Sequence, residues 1–320
     1  MDGQDKDERD RSGVNRRGML MRCAGWAGTA ALYTIAGGVA SSVSLDAALA
    51  ATPDQGKIKP FTFLQISDTH LGFDKPANPN ARATTLEAVA KIKALPQAPD
   101  LIIHTGDITH LSKNEEFDDA KTILGDLSAP VFYVPGEHDF LDEGQGKNFL
   151  ARYGKDTLGT GWYSFNHDGV HFVALNNVAN LKPGGMAHLG DEQLAWLQKD
   201  LAGLSSSTPI VVFGHIPLWT VYEAWGWGTD DSAQALSYLR RFGSVTVLNG
   251  HIHQIIQKVE GNISFHSARS TAYPQPAPGA APSPGPLKVP TEQLPSMLGI
   301  RTANFVRGHE PIALIDSSLA

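Results

Sequence analysis

Apolar residues fall along the chain in short, partly β-branched runs, several of which stop at a glycine followed by a carboxylate or an imidazole. Phe61–Ser67 alternates apolar and polar positions and predicts a strand. Thr84–Leu95 puts Leu86, Val89, Ala90 and Ile92 at helical spacing and stops before Pro96. Leu101–Thr105 predicts a buried strand, Asn114–Leu127 a helix capped by Asn114 with Glu115 and Glu116 in its first turn, and Val131–Val134 another strand. Strands and helices alternating in this way predict βαβ units around a parallel sheet. The second half is richer in strands. Tyr163–His167 and Val170–Leu175 predict a hairpin around Asp168-Gly169, followed by strands at Ile210–Phe213, Val245–Leu248, Ile255–Val259, Ile263–Ser267 and Ile312–Ile315. Helices are expected at Glu192–Leu201 and Ser232–Phe242.

The polar residues that end these strands carry the chemistry. In order they are Asp68-x-His70, Gly106-Asp107, Gly136-Glu137-His138-Asp139, Gly214-His215 and Gly250-His251-x-His253. Gly106 breaks the run Leu101–Ile103 and sets Asp107 on a tight turn past a buried strand. A carboxylate there is costly unless positive charge meets it, so Asp107 is a candidate to bridge two metal ions. A lone histidine at a strand end is more often a surface or hydrogen-bonded group than a ligand. The joint arrangement is what points to metal. His104, His110, His167, His171, His188, His266 and His309 are read as packing or surface groups, although His104 and His110 flank the bridging motif. No P-loop, G-x-S-x-G elbow or H-E-x-x-H helix is present.

This order of motifs resembles the calcineurin-like metallophosphoesterases, whose pattern is D-x-H, G-D, G-N-H-D/E, H and G-H-x-H, and the resemblance spans about Phe61 to Gln254. It implies an α/β fold, a four-layer sandwich of two mixed β-sheets face to face and flanked by helices, as one catalytic domain over residues 58–320. It implies two divalent or trivalent ions, of the Mn, Fe or Zn kind. One would be held by Asp68, His70, Asp107 and His253, the other by Asp107, Glu137, His215 and His251. It further implies a small-molecule phosphoester substrate attacked by a metal-bridged hydroxide, His138 as the general acid and Asp139 as the carboxylate orienting it. The wording Gln65-Ile66-Ser67-Asp68-Thr69-His70-Leu71 is similar to that of bacterial cyclic-nucleotide and glycerophosphodiester phosphodiesterases. The departure is Glu137, where the family has Asn. A charged ligand lowers the net positive charge of the cluster, which costs a dianionic monoester more attraction than a monoanionic diester. The competing readings are that Glu137 turns away and leaves the second metal labile, or that the chain is a catalytically weak metal- or phosphate-binding envelope protein. A third is an interaction module whose metal residues are incidental.

The chain has 320 residues, a formal charge of −7 lying wholly in residues 51–320, and one cysteine, Cys23. The acidic balance and the lack of a Lys/Arg cluster argue against a nucleic-acid surface. A single cysteine rules out a disulfide within the chain or a cluster of thiolate ligands, leaving His, Asp, Glu and Asn side chains to hold any metal. Residues 1–50 read as an export signal: a polar, disordered start, Arg16-Arg17, a weakly apolar stretch from about Ala24 to Val43, and a small-x-small site at Ala48-Leu49-Ala50. The resemblance is to a twin-arginine signal, which implies the twin-arginine machinery as partner, a periplasmic or otherwise exported location, and no stable membrane span after cleavage. An uncleaved membrane helix is the alternative.

Two loops bear on the substrate. Trp219, Trp225 and Trp227 follow His215 closely and could wall a cleft or pack on themselves. Tyr273–Pro290 holds seven prolines and is expected to be a solvated, extended excursion rather than a wall of the site.

Overall fold

The computed structural model describes residues 31–36, 39–44, 60–182, 184–306 and 309–320. The chain divides into two compact units, Met1–Lys57 and Ile58–Ala320. In the first, β1 (Ala31–Ala36) pairs antiparallel with β2 (Val39–Ser44). Arg16-Arg17, the start of the weakly apolar stretch and the Ala48–Ala50 site lie outside the described residues. Among the described residues, no helix is long and apolar enough to cross a membrane.

The second unit contains two sheets. The first has the order β13-β12-β3-β4-β5, with β3 (Phe61–Ile66), β4 (Leu101–His104) and β5 (Val131–Tyr133) parallel. Two antiparallel strands, β12 (Gly299–Val306) and β13 (His309–Ser318), extend it. The second has the order β10-β11-β9-β8-β7-β6. Its centre, β7 (Val170–Ala174), β8 (Ile210–Phe213), β9 (Val245–Asn249) and β11 (Ile263–Ser267), is parallel. Its edges, β6 (Tyr163–His167) and β10 (Gln257–Glu260), are antiparallel.

Side chains alternate across each strand, so each sheet has two faces to bury. Phe63, Ile103 and Phe305 from the first sheet meet Phe172, Val211 and Phe213 from the second in one apolar layer. The opposite parity of the first sheet, Leu64, Ile66 and Ile102, packs under α1 (Ala81–Lys93), α2 (Asn114–Leu124) and α3 (Lys147–Tyr153). Val173, Val212 and Val247 pack under α4 (Asp191–Ala202) and α5 (Ser232–Leu239) on the far side. The result is the expected four-layer α/β sandwich.

One local expectation changes, and two elements appear that the sequence does not signal. Asn114 is the first residue of α2, not its cap. The turn is held instead by Glu116, whose carboxylate accepts from the amides of Leu111 (2.8 Å) and Lys113 (3.3 Å). Strand β12 is not signalled in sequence, because Arg301, Thr302 and Asn304 interrupt its apolar pattern. Arg301 is fully buried and satisfied by Asp316 (2.9 Å), Gln65 (3.1 Å) and the Ser267 carbonyl (2.8 Å). Helix α3 is short and also passes unsignalled.

Candidate metal centre

All seven candidate ligands lie just beyond C-terminal strand ends. Asp68 and His70 follow β3, Asp107 follows β4, Glu137 follows β5, His215 follows β8, and His251 and His253 follow β9. Each sheet supplies part of the set, and the fold brings the parts together. Asp107 Oδ2 lies 3.4 Å from His70 Nε2 and 3.3 Å from His215 Nε2. On one side, His253 Nε2 stands 3.3 Å from both His70 Nε2 and Asp68 Oδ1. On the other, Glu137 Oε2 is 2.8 Å from His215 Nε2 and its Oε1 is 3.0 Å from His251 Nδ1. Asp68, His70 and His253 form one group able to hold a metal ion, and Glu137, His215 and His251 form another.

The chemistry of these atoms fits a cation. His215 Nε2, His251 Nδ1 and Glu137 Oε2 are buried and crowd against one another, yet none of the three is in a hydrogen bond, a costly state for buried polar atoms that a shared cation would relieve. The other ring nitrogens are committed: His215 Nδ1 donates to the Thr105 carbonyl (2.7 Å) and His253 Nδ1 to the Tyr273 carbonyl (2.6 Å). Those bonds leave Nε2 as the lone pair facing the cluster. Asp68, His70, Asp107, His251 and His253 all have φ between +39° and +67°. Such left-handed backbone costs about 1–3 kcal/mol per residue and collects at functional sites.

Close backbone approach explains the glycines. At Gly106 (φ +92°) a Cβ would stand 2.6 Å from His215 Nδ1. At Gly136 it would run into the Asp107 carboxylate. Burial alone would raise the Asp68 and Glu137 carboxyls, but the imidazoles beside them reverse this and hold both below the ordinary carboxylate range. Burial drives the His104 ring down to about 3, so it is neutral, and its Nε2 meets Thr69 Oγ1 at 3.2 Å.

His138 lines the cleft beside this cluster, with its Nδ1 donating to the His110 carbonyl (2.7 Å) and its ring stacked on that of His110 at 4.9 Å. Asp139 does not orient that ring. Its fully buried carboxylate accepts from the amides of Gly136 (3.0 Å), Ile108 (3.0 Å) and Thr109 (2.8 Å) and from Thr109 Oγ1 (2.8 Å). It therefore clamps the Asp107 loop to the Glu137 loop, and burial together with the Asp107 charge pushes it up to about 6. The expectation of a carboxylate on the imidazole fails because backbone amides, not His138, come within reach of Asp139.

Tyr273 is missed by sequence reasoning. Its ring stacks on His70 at 4.8 Å and its hydroxyl is 3.1 Å from His70 Nε2, yet it lies twenty residues past the His251–His253 motif and carries no spacing signal. The proline-rich segment it opens is largely exposed from Ala277 to Pro290, as expected, but it also walls the site. Pro284, Gly285 and Pro286 line a cleft of about 560 Å³ together with Glu137, His138 and His251. Trp225 and Trp227 line the same cleft, whereas Trp219 packs into the outer core of the second sheet, 6.3 Å from Phe265.

Residues 61–255, a span holding all seven groups, match the family model of the calcineurin-like phosphoesterases. The chain belongs to that family. This phosphoesterase is 26% identical over 67% of its length to a 3',5'-cyclic-nucleotide phosphodiesterase of Nostoc sp., covering 79% of that protein. It is 25% identical over 59% of its length to the glycerophosphodiester phosphodiesterase GpdQ of Enterobacter lignolyticus, covering 70% of it. A dimetal phosphatase from Danio rerio shares the fold at a TM-score of 0.62 and 15% identity, over 81% of this phosphoesterase and 96% of that chain.

Proposed function

We propose that this phosphoesterase hydrolyses phosphodiesters, cyclic nucleotides among them, in preference to phosphomonoesters, using two metal ions. Asp68, His70, Asp107 and His253 would hold one ion, and Asp107, Glu137, His215 and His251 the other. The observation that carries the reading is Asp107 Oδ2, 3.4 Å and 3.3 Å from the facing nitrogens of His70 and His215, between the two groups. Two cations bound there would neutralise phosphoryl oxygens and lower the pKa of water toward about 7.

The chain's own residues do the rest. The Thr105 and Tyr273 carbonyls fix the rings of His215 and His253. The His138 amide donates to Asp107 Oδ1 (2.9 Å), which turns Oδ2 toward the cluster. His138, anchored through Nδ1, keeps Nε2 for the leaving oxygen as its proton donor. Glu137 places a negative charge where the family has a neutral amide, which disfavours a dianionic ester more than a monoanionic one. The phosphodiesterase names of the relatives agree with this preference.

Export through the twin-arginine route is part of the proposal and is supported by Arg16-Arg17 and the Ala48–Ala50 site. The deciding experiment is a hydrolysis screen of mono-, di- and cyclic phosphoesters after defined metal loading. Two ions per chain with diester turnover supports the reading. Two ions and no turnover of any ester means a binding protein instead, and no bound ions overturns both.

A further inference from the structure

The cleft beside the cluster has a definite chemistry. Its walls include Phe140, Ile216, Trp225, Trp227, Pro284 and Pro286, and among the described residues that line it none is Lys or Arg. The tryptophans belong to an edge-to-face ladder. Tyr222 meets Trp225 at 5.1 Å and 82°, Trp225 meets Trp227 at 5.0 Å and 77°, and Trp227 reaches the candidate ligand His251 at 6.4 Å. Trp227 is fully buried and Trp225 is its partly exposed neighbour at the cleft. The proline-rich segment closes toward this ladder, since a Cβ on Gly279 would stand 3.3 Å from Tyr222 Oη. Trp225 and the Pro284–Pro286 stretch thus both line the cleft that reaches Glu137, His138 and His251.

We propose that the substrate carries one flat, uncharged aromatic group, seated on Trp225 against Pro284–Pro286, and a single charged phosphoryl group at the cluster. This rests on the phosphodiesterase reading above. Edge-to-face packing holds the Trp225 ring before any ligand arrives, so stacking on it costs little ordering. A second phosphate would lie in this cleft without a cationic partner, and desolvating it there would be unfavourable. Nucleoside and aryl phosphodiesters meet both conditions. Nucleoside diphosphates and glycerophosphodiesters with charged headgroups do not.

The test compares the manganese-reconstituted full chain on 3',5'-cyclic AMP, bis(p-nitrophenyl) phosphate and glycerophosphocholine. The two aromatic esters should have the higher kcat/KM. Trp225→Ala should lower their advantage over glycerophosphocholine by roughly tenfold, mainly through KM, as expected for one lost stacking face. Trp225→Phe should recover most of it. A preference for glycerophosphocholine, or an equal loss on all three substrates, overturns the proposal. If no ester is turned over, hydrolysis itself is refuted, and binding of methyl phenylphosphonate decides the inference separately. The parent should then bind it about tenfold more tightly than Trp225→Ala, and equal affinities overturn the aromatic site.

Discussion

Asp107 takes its position from three contacts at once: Oδ1 held by the His138 amide, Oδ2 set against two imidazoles, and a backbone at φ +51°. Asp107→Asn is expected to reduce bound metal, measured by elemental analysis, and to cut turnover by more than about 100-fold, because an amide oxygen lacks the charge to hold two cations. His138→Gln should spare metal content. Its cost should fall between about 10² and 10⁴ in kcat for alkoxide leaving groups and shrink for p-nitrophenolate, which needs no proton. An equal loss on both leaving groups would remove the proton-donor role. Glu137→Asn should raise monoester over diester turnover, and an unchanged ratio would show that the charge at this position does not select. Asp139, Tyr273 and the His110 carbonyl act on these groups from positions that spacing does not mark. Asp139 was legible as the residue after His138 in the Gly-Glu-His-Asp run, but two of its three amide partners, Ile108 and Thr109, lie about thirty residues upstream.

At the scale of elements, loops carry the ligands and strands hold the loops. Asp139→Ala removes the acceptor for the Gly136, Ile108 and Thr109 amides. A buried amide left unsatisfied costs about 1–3 kcal/mol, so calorimetry should show a large drop in melting temperature alongside weakened metal binding. A second clamp joins α4 to the β6–β7 hairpin. Asp200 lies 2.8 Å from His171 Nε2 and accepts from Ser164 Oγ at 2.7 Å. Partial burial works against the Asp200 charge, but the bonds from His171 and Ser164 outweigh it and hold the carboxyl below its usual value. A carboxyl depressed in the folded state stabilises above its unfolded pKa and loses that contribution as pH falls through the folded one. Asp200→Asn should therefore lower stability at neutral pH and flatten the acid limb of the stability–pH curve; parallel curves would argue that the pair is inert. Strands with clean alternation or solid apolar runs, such as β3, β4 and β8, were legible in sequence. β12 was not, because its buried Arg301 is made tolerable by Asp316, Gln65 and Ser267, partners that only folding supplies.

At the scale of the molecule, the candidate ligands come from both sheets, four from the first and three from the second. Ions bound between them would tie the sheets together across their shared apolar layer. A ligand present at 100 times its Kd stabilises by about 2.7 kcal/mol. Metal loading should accordingly raise the melting temperature by several degrees, reversed by chelation, and an unchanged midpoint would mean that the ions do not bridge the sheets. Replacing residues 274–290 by a short Gly/Ser linker should open the cleft wall and weaken ester binding while the sandwich still folds, since most of the segment lies outside the apolar layers.

The sequence by itself determined which residue types end the central strands, and hence the phosphoesterase family, the sandwich and the seven groups placed to meet metal. Period-two burial and a glycine at each sharp turn are local requirements, and local requirements are written in neighbouring residues. Tertiary structure alone decided what those groups touch. Asp139 clamps amides rather than an imidazole, Tyr273 stacks on His70, and the proline-rich segment borders the cleft instead of leaving it. Apart from the Gly136 amide on Asp139, each of these contacts joins residues about twenty or more positions apart, and a contact set by how two sheets and their loops close over one another leaves no periodic trace along the chain.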